Sequence, residues 1–277
     1  MNFSAPKNNN GFSEGEVRRT ARAANRVKPG ALQIRARSFD GDGVCDVENR
    51  LSAGEQDQLL GIATVVECRR SGSPLYSEGE LARFVYCVGE GMVRTSRCAE
   101  NGHRQILAFR GPGDLFGFPD AGRYANSAET VGPAKLYRMP WQRLQQMLLT
   151  DPQLHLIVLE KMAHDFRQAQ NRIMSLGQQN TYQRLAAFIV EWMSREEFFD
   201  EKKSLLKFPV NRFDLADYLG TQPESAARAF TKLEHDGLVR RINFKEVEIL
   251  DIEGLQALRR GHRRSNRSEA AQSDMTP

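Results

Sequence analysis

The sequence predicts an α+β protein: an N-terminal antiparallel β jelly roll, one long helix, and a C-terminal pair of short helices followed by a β-hairpin. Three observations predict it. Between Ala63 and Pro140, short β-rich runs are punctuated by turn residues roughly every ten positions, the pattern of an antiparallel sandwich or jelly roll. Beyond Pro140 the apolar period becomes helical, with a heptad stripe over Leu159–Leu176. After Asn211, a short helical segment, a glycine and a second amphipathic segment precede two alternating runs.

The N-terminal stretch comes first. Residues 1–47 are rich in Asn, Gly and Arg without sustained apolar periodicity, and read as a flexible extension in which no core begins. The chain's formal net charge is only +4, but the excess sits at its ends. Eight basic residues face Glu14 and Glu16 between Lys7 and Arg37, and Arg259, Arg260, Arg263, Arg264 and Arg267 crowd the tail. Such runs are solvated tails or contacts for polyanions. No apolar stretch has the length of a signal peptide or a membrane span, so the expectation is a cytoplasmic protein with no membrane partner. Cys45, Cys68, Cys87 and Cys98 form no C-x-x-C pair, which removes the basis for a zinc ribbon or a thioredoxin-like site.

A short helix is predicted over Leu51–Ile62, with Ser52 as its cap and Glu55 in its first turn. The β-rich region comes next, with runs such as Phe84–Val88, Met92–Arg94 and Gln105–Phe109, and with glycines from Gly79 to Gly132 between them. Asn101-Gly102 is a strong hairpin signal because both residues tolerate positive φ. Leu159, Met162, Phe166, Ala169, Ile173 and Leu176 then stand at spacings of 3, 4, 3, 4 and 3, an a/d seam. A helix of about 25 residues opening at Asp151-Pro152 is roughly 37 Å long. Its strict 3.5-residue period favours pairing with a second copy over packing on its own barrel. Another helix is predicted over Tyr182–Phe198.

Asn211 to Asp214 open a short helix that Gly220 ends, and Thr221-Gln222-Pro223 leads into a second carrying Ala226, Phe230 and Leu233 inward. That is the layout of a helix-turn-helix, and the runs Val239–Ile242 and Glu246–Leu250 add a hairpin wing. A second helix lying in a major groove presents the residues of its N-terminal outward face to base edges. Those residues are Gln222, Glu224, Ser225, Ala227 and Arg228, and Thr221, just before them, is a further candidate for DNA contact. Arg228 suits guanine O6 and N7, while Glu224 suits cytosine N4 and also stands one turn from the Arg228 guanidinium. Lys232, Arg240, Arg241 and Lys245 are candidates for phosphate contacts.

In this order, the elements resemble the CRP/FNR family of transcription regulators from about residue 50 to 257. The most specific pieces are Gly113-Asp114-Leu115-Phe116-Gly117-Phe118, Arg184-Leu185-Ala186-Ala187-Phe188, and Asp214 to Arg228. The similarity is to the FNR/FixK-like branch, since Gly117-Phe118 stands where cyclic-AMP-binding members carry Gly-Glu. The resemblance implies a cyclic-nucleotide-binding-like roll (48–145), a dimerisation helix (146–177), a winged helix-turn-helix (178–257) and a basic tail (258–277). It implies a homodimer on double-stranded DNA, reading a palindrome with TTGAT-like half-sites, and activation through RNA polymerase via loops flanking Gly113–Tyr124. The family pattern E-x-x-S-R is here Glu224-Ser225-Ala226-Ala227-Arg228, so a methyl replaces the hydroxyl that meets the outer thymine.

No cofactor is expected. Phe118 and Asn126-Ser127 replace the Glu and Arg-Ser that hold cyclic AMP, leaving its phosphate an unpaired buried charge. An iron–sulfur cluster needs about four thiolates in one shell, and the N-terminal stretch offers Cys45 alone, with Tyr137 in the place of the barrel ligand. Haem stays open, with His103 and Cys98 as candidate ligands, and Cys45 is the candidate redox thiol. Five histidines without an H-x-H pair, a phosphate loop or a nucleophile elbow point away from an enzyme.

Overall fold

The computed structural model describes residues 34, 36–40, 43–47, 51–208, 210–243 and 245–261. Strands β1 (Ala36–Asp40) and β2 (Gly43–Val47) form an antiparallel hairpin, with Ser38 opposite Cys45. Ile34 is buried with Leu51, Leu59, Leu144, Leu154 and Val158. This corrects the sequence reading: the folded core begins at Ile34 rather than after residue 47. The Cys45 side chain and the basic ends before Ile34 and after Gly261 lie outside the described residues.

Helix α1 (Ala53–Ile62) starts at Ser52 through a capping box. The Glu55 amide donates to Ser52 Oγ at 3.2 Å, and the Ser52 amide donates to Glu55 Oε2 at 2.6 Å. Such a cap is worth about 1 kcal/mol.

The strands of the roll are β3 (Thr64–Cys68), β4 (Pro74–Tyr76), β5 (Phe84–Glu90), β6 (Val93–Cys98), β7 (Arg104–Arg110), β8 (Leu115–Phe116), β9 (Ser127–Thr130) and β10 (Ala134–Pro140). They make two antiparallel sheets of order β3-β10-β5-β8 and β4-β9-β6-β7. Asn101-Gly102 turns β6 into β7, with Gly102 at φ 81° and the His103 amide donating to Asn101 Oδ1 at 3.1 Å. Tyr76, Tyr86, Phe116 and Tyr124 fill the space between the sheets, and the Tyr76 and Tyr124 rings stack at 3.8 Å.

Helix α2 (Trp141–Thr150) closes the roll, and α3 (Pro152–Gln178) begins after one residue. Asp151 caps α3 by accepting from the Gln153 and Leu154 amides, both at 3.0 Å, and Pro152 occupies the first turn, where no backbone donor is needed. The boundary placed at residue 146 therefore falls inside α2; the chain breaks at Asp151, where a local cap and proline coincide.

Helix α4 (Thr181–Met193) ends five residues short of the predicted Phe198. Strand β11 (Phe199–Asp200), a 3-10 turn (Glu201–Lys203) and strand β12 (Leu205–Lys207) take up the chain from there. These two strands, which the periodicity did not foretell, join the wing. Helices α5 (Arg212–Leu219) and α6 (Pro223–His235), strands β13 (Val239–Arg241) and β14 (Glu246–Ile249), and α7 (Ile252–Arg259) complete the chain. The C-terminal sheet has the order β11-β12-β14-β13. Its core is continuous with the roll: Met92, Ile106 and Phe109 pack with Phe188, Trp192 and Tyr218. The Phe109 ring meets Trp192 edge-on at 5.8 Å.

Candidate nucleic-acid interface

The helix pair α5–α6 is set by local chemistry. Asn211 Oδ1 accepts from the Phe213 and Asp214 amides, both at 2.9 Å, which satisfies two orphan donors of α5. Gly220 ends α5 in the left-handed region, φ 63° and ψ 47°. A β-carbon there would come within 2.9 Å of Leu176 Cδ2, so backbone conformation and close approach both require glycine. Pro223 occupies the first turn of α6, and Gln222 caps it without a side-chain bond.

Ala226, Ala229 and Leu233 anchor α6 in the core, while Phe230 is half-buried edge-on to Phe208. The opposite face leaves Gln222, Glu224, Ala227 and Arg228 exposed, with Thr221 and Ser225 at its margin. These six predicted residues share one surface at the N-terminus of α6, where helix polarity also favours a phosphate. Arg228 differs from expectation in its partner. Its Nη2 donates to Ser225 Oγ at 2.8 Å, and Glu224 takes no part in holding it. Residues three apart are neighbours on a helix just as residues four apart are, and the compact hydroxyl wins here.

The cations assigned to phosphates divide. Arg240 donates to Glu248 through Nε at 2.7 Å, and Arg241 donates to Glu234 at 2.5 Å, so both are committed to ion pairs on the protein's own surface. The Glu234 carboxyl is held below its ordinary range chiefly by the Arg241 hydrogen bond. Lys232 rests with Nζ 4.6 Å from the centre of the Tyr182 ring, and the Tyr182 hydroxyl donates to Asp236 at 2.5 Å. Lys245 is exposed on the wing turn.

Sequence reasoning missed how this unit is held. Asp214, 1% exposed, accepts from Arg94 Nη1 at 2.8 Å and from Arg104 Nη2 at 2.7 Å. Arg104 also reaches Asp217 at 2.7 Å, and Arg94 reaches Glu129 at 2.7 Å. Gln105 Nε2 donates to the Asp217 carbonyl at 2.5 Å. Strands β6 and β7 thus grip α5 by charge. No local signal announces pairs more than a hundred residues apart.

On α3, Leu154, Val158 and Lys161 turn inward, whereas Leu159, Met162, Phe166, Ala169 and Ile173 lie on the exposed side. Phe166 is 65% and Ile173 68% exposed. Leu176 departs from the rest of the stripe: it is half-buried beside Gly220.

The places of the nucleotide ligands are occupied by other contacts. Phe118 packs edge-on against Trp141 at 6.1 Å, and Asn126 Oδ1 accepts from the Tyr76 hydroxyl at 3.2 Å. Beside them lies a small cleft of about 190 Å³. Burial pushes the Cys87 thiol up to about 12 and raises Cys68, which makes both poor nucleophiles. Cys98 and His103 are exposed near the β6–β7 turn. Among the described residues no group of three or more His, Cys, Asp or Glu side chains is placed to hold a metal ion. Among them, too, no helix is long and apolar enough to cross a membrane.

Comparison with known proteins agrees with this geometry. Residues 68–151 match the family model of the cyclic nucleotide-binding domain, and residues 183–258 that of the Crp-like helix-turn-helix domain. The chain is 33% identical to the transcriptional activatory protein AadR of Rhodopseudomonas palustris over 66% of its length and 77% of that protein. It is 30% identical to the nitrogen fixation regulation protein FixK of Bradyrhizobium diazoefficiens, over 68% and 79% respectively. The solved structure of FixK2 from Bradyrhizobium japonicum superposes with a TM-score of 0.66 at 27% identity, covering 71% of this chain and 97% of that one.

A β roll joined by a long helix to a winged helix-turn-helix defines a sequence-specific DNA-binding regulator of transcription. Within that class, the chain belongs to the CRP/FNR family, in its FixK-like branch. Members of this family are transcription regulators rather than enzymes.

Proposed function

We propose that two copies of this chain pair along the Leu159, Met162, Phe166, Ala169, Ile173 stripe of α3, with Leu176 at its end, and read a palindrome with TTGAT-like half-sites as an activator. The observation that carries the reading role is the exposed N-terminal face of α6, where Ser225 orients the Arg228 guanidinium toward solvent beside Glu224. Arg228 then reads guanine, Glu224 a cytosine amine, and the Ala227 methyl meets a thymine methyl in the outer step. Gln222 stands beside them on the base-reading face, while Thr221, Lys232 and Lys245 fix register on the phosphates, the two lysines supplying a salt-dependent affinity. Two copies of α6 must stand roughly 34–36 Å apart, one turn of duplex.

The dimer is supported by the exposed apolar stripe, since a monomer rarely leaves a phenylalanine and an isoleucine in one row uncovered. Activation is supported by the names of the relatives, AadR being a transcriptional activatory protein. It requires a face for RNA polymerase, which we place on the loops flanking Gly113–Tyr124, and it places the protein in the cytoplasm. Cyclic AMP is disfavoured, because Asn126 is spent on Tyr76, and Arg110, a guanidinium that lines the cleft beside it, is already paired with Asp165. Selection of bound duplexes from a random pool tests the reading. We expect a symmetric motif, and Arg228→Ala relaxes its guanine position at a cost of about 1–3 kcal/mol. An unchanged motif in the variant removes Arg228 from the reading role.

A further inference from the structure

On the exposed face of α6, Glu224 and Arg228 stand one turn apart with the acid nearer the N-terminus, the order in which such pairs ordinarily close on a helix. A closed pair would tie the two base readers together, because a change at either would release the other. Here the pair is open. Among the described residues the Glu224 carboxylate joins no ion pair or hydrogen bond, while Arg228 Nη2 donates to Ser225 Oγ at 2.8 Å. Glu224 lies in the first turn of α6, where helix polarity favours a carboxylate whichever way it turns.

The choice of a hydroxyl has an electrostatic meaning. Elsewhere in the same unit, Arg240 is paired with Glu248 and Arg241 with Glu234, and each carboxylate cancels the charge it holds. Ser225 holds Arg228 without neutralising it. The serine is itself well fixed: it is half-buried, and its amide donates to the Gln222 carbonyl at 3.0 Å. A guanidinium carries five donor hydrogens, of which Ser225 takes one. Guanine O6 and N7 need two more, so the bond to Ser225 can persist while Arg228 reads its base. An arginine held in one orientation before contact loses less rotamer freedom on binding.

We propose that Ser225 is a positioning residue for Arg228, and that the guanine and cytosine readings of α6 are energetically separate, one resting on the Ser225–Arg228 unit and the other on Glu224 alone. This rests on the base-reading role of α6 given above. It adds that base preference at one position can be altered without disturbing the other.

The test uses the full-length protein and the symmetric duplex that it selects, with dissociation constants from fluorescence anisotropy at fixed salt. Companion duplexes carry a replaced base pair at the guanine position, or at the Glu224 position, of one half-site. Ser225→Ala is expected to weaken binding to the selected duplex roughly three- to tenfold per half-site, the worth of one hydrogen bond. The same substitution should cost less than about twofold at a half-site whose guanine is replaced, and less than about twofold in an Arg228→Ala background. Ser225→Thr, which keeps the hydroxyl, should bind within about twofold of the parent. Losses from Glu224→Gln and Arg228→Ala should multiply to within about twofold. A Ser225→Ala loss that persists on the replaced guanine or beside Arg228→Ala, or no loss at all, overturns the positioning role. Coupling of more than about fivefold between Glu224 and Arg228 overturns the separation. If the parent selects no symmetric duplex, the reading role of α6 falls and this assignment with it; a selected duplex on which Ser225→Ala matches the parent overturns this assignment alone.

Discussion

Asp214→Asn is the sharpest test of how the reading unit is held. The carboxylate is 1% exposed and takes one hydrogen bond from each of two guanidiniums, at 2.8 and 2.7 Å. Asparagine keeps the volume but removes the charge, and its amide donors then face cations that also only donate. Breaking a buried pair costs about 3–5 kcal/mol, because the surviving charge is left uncompensated. Arg94 retains Glu129 and Arg104 retains Asp217, so the lower end, about 3 kcal/mol, applies. At roughly 2–4 °C per kcal/mol for a chain of this size, Tm falls by roughly 6–12 °C. Thermal melting followed by circular dichroism measures it, and added salt should change the difference little, since a buried pair is poorly screened. A cycle with Arg94→Met and the double variant should return a coupling of about 0.5–3 kcal/mol. If D214N melts within a degree of the parent, the ion cluster is not what holds α5 to the roll.

Three further outcomes are expected. Phe166→Asp removes a large apolar side chain from the centre of the α3 stripe in both copies; at about 1.5–3 kcal/mol per ring, the dimer dissociation constant rises more than about a hundredfold, as sedimentation will show. Gly220→Ala forces a β-carbon into a left-handed residue and against Leu176, costing about 1–2 kcal/mol or more in urea unfolding. Asp114 titrates at about 2: burial alone raises it, but Lys161 and Arg110 outweigh that. Its contribution, on the order of 2 kcal/mol, is present above pH ~4 and lost as pH falls toward about 2, so Asp114→Asn should destabilise at neutral pH and flatten the acid limb of a stability profile.

Where the chain's structure is fixed by neighbours in sequence, the sequence displays it. Asp151-Pro152 opens α3 because a cap and an N-terminal proline act within four residues, and Asn101-Gly102 turns β6 into β7 for the same local reason. Asn211 and Gly220 bracket α5, and the outward face of α6 comes from its period alone. Structure that depends on distant partners stayed hidden. Strands β11 and β12 are two and three residues long, too short to show an alternation, and exist because β14 is there to pair with β12, which in turn pairs with β11. The hairpin 36–47 and the buried Ile34 interrupt a stretch whose composition is otherwise that of a tail. Arg94 and Arg104 look like ordinary surface cations of a hairpin until α5 is laid upon them. Leu176 fits the heptad by spacing, and only the nearness of Gly220 draws it out of line.

The continuity of the core across Met92, Ile106 and Phe109 on one side and Phe188, Trp192 and Tyr218 on the other has a practical corollary. An excised reading head would present its largest aromatic side chains to water and clump rather than behave as a free module. Engineers who graft this head onto a foreign receptor must transplant the face of β6 and β7 with it, or re-polarise Phe188 and Trp192. The same joint makes the two halves one mechanical body, so strain imposed on the roll is delivered to the operator without a slack tether between them.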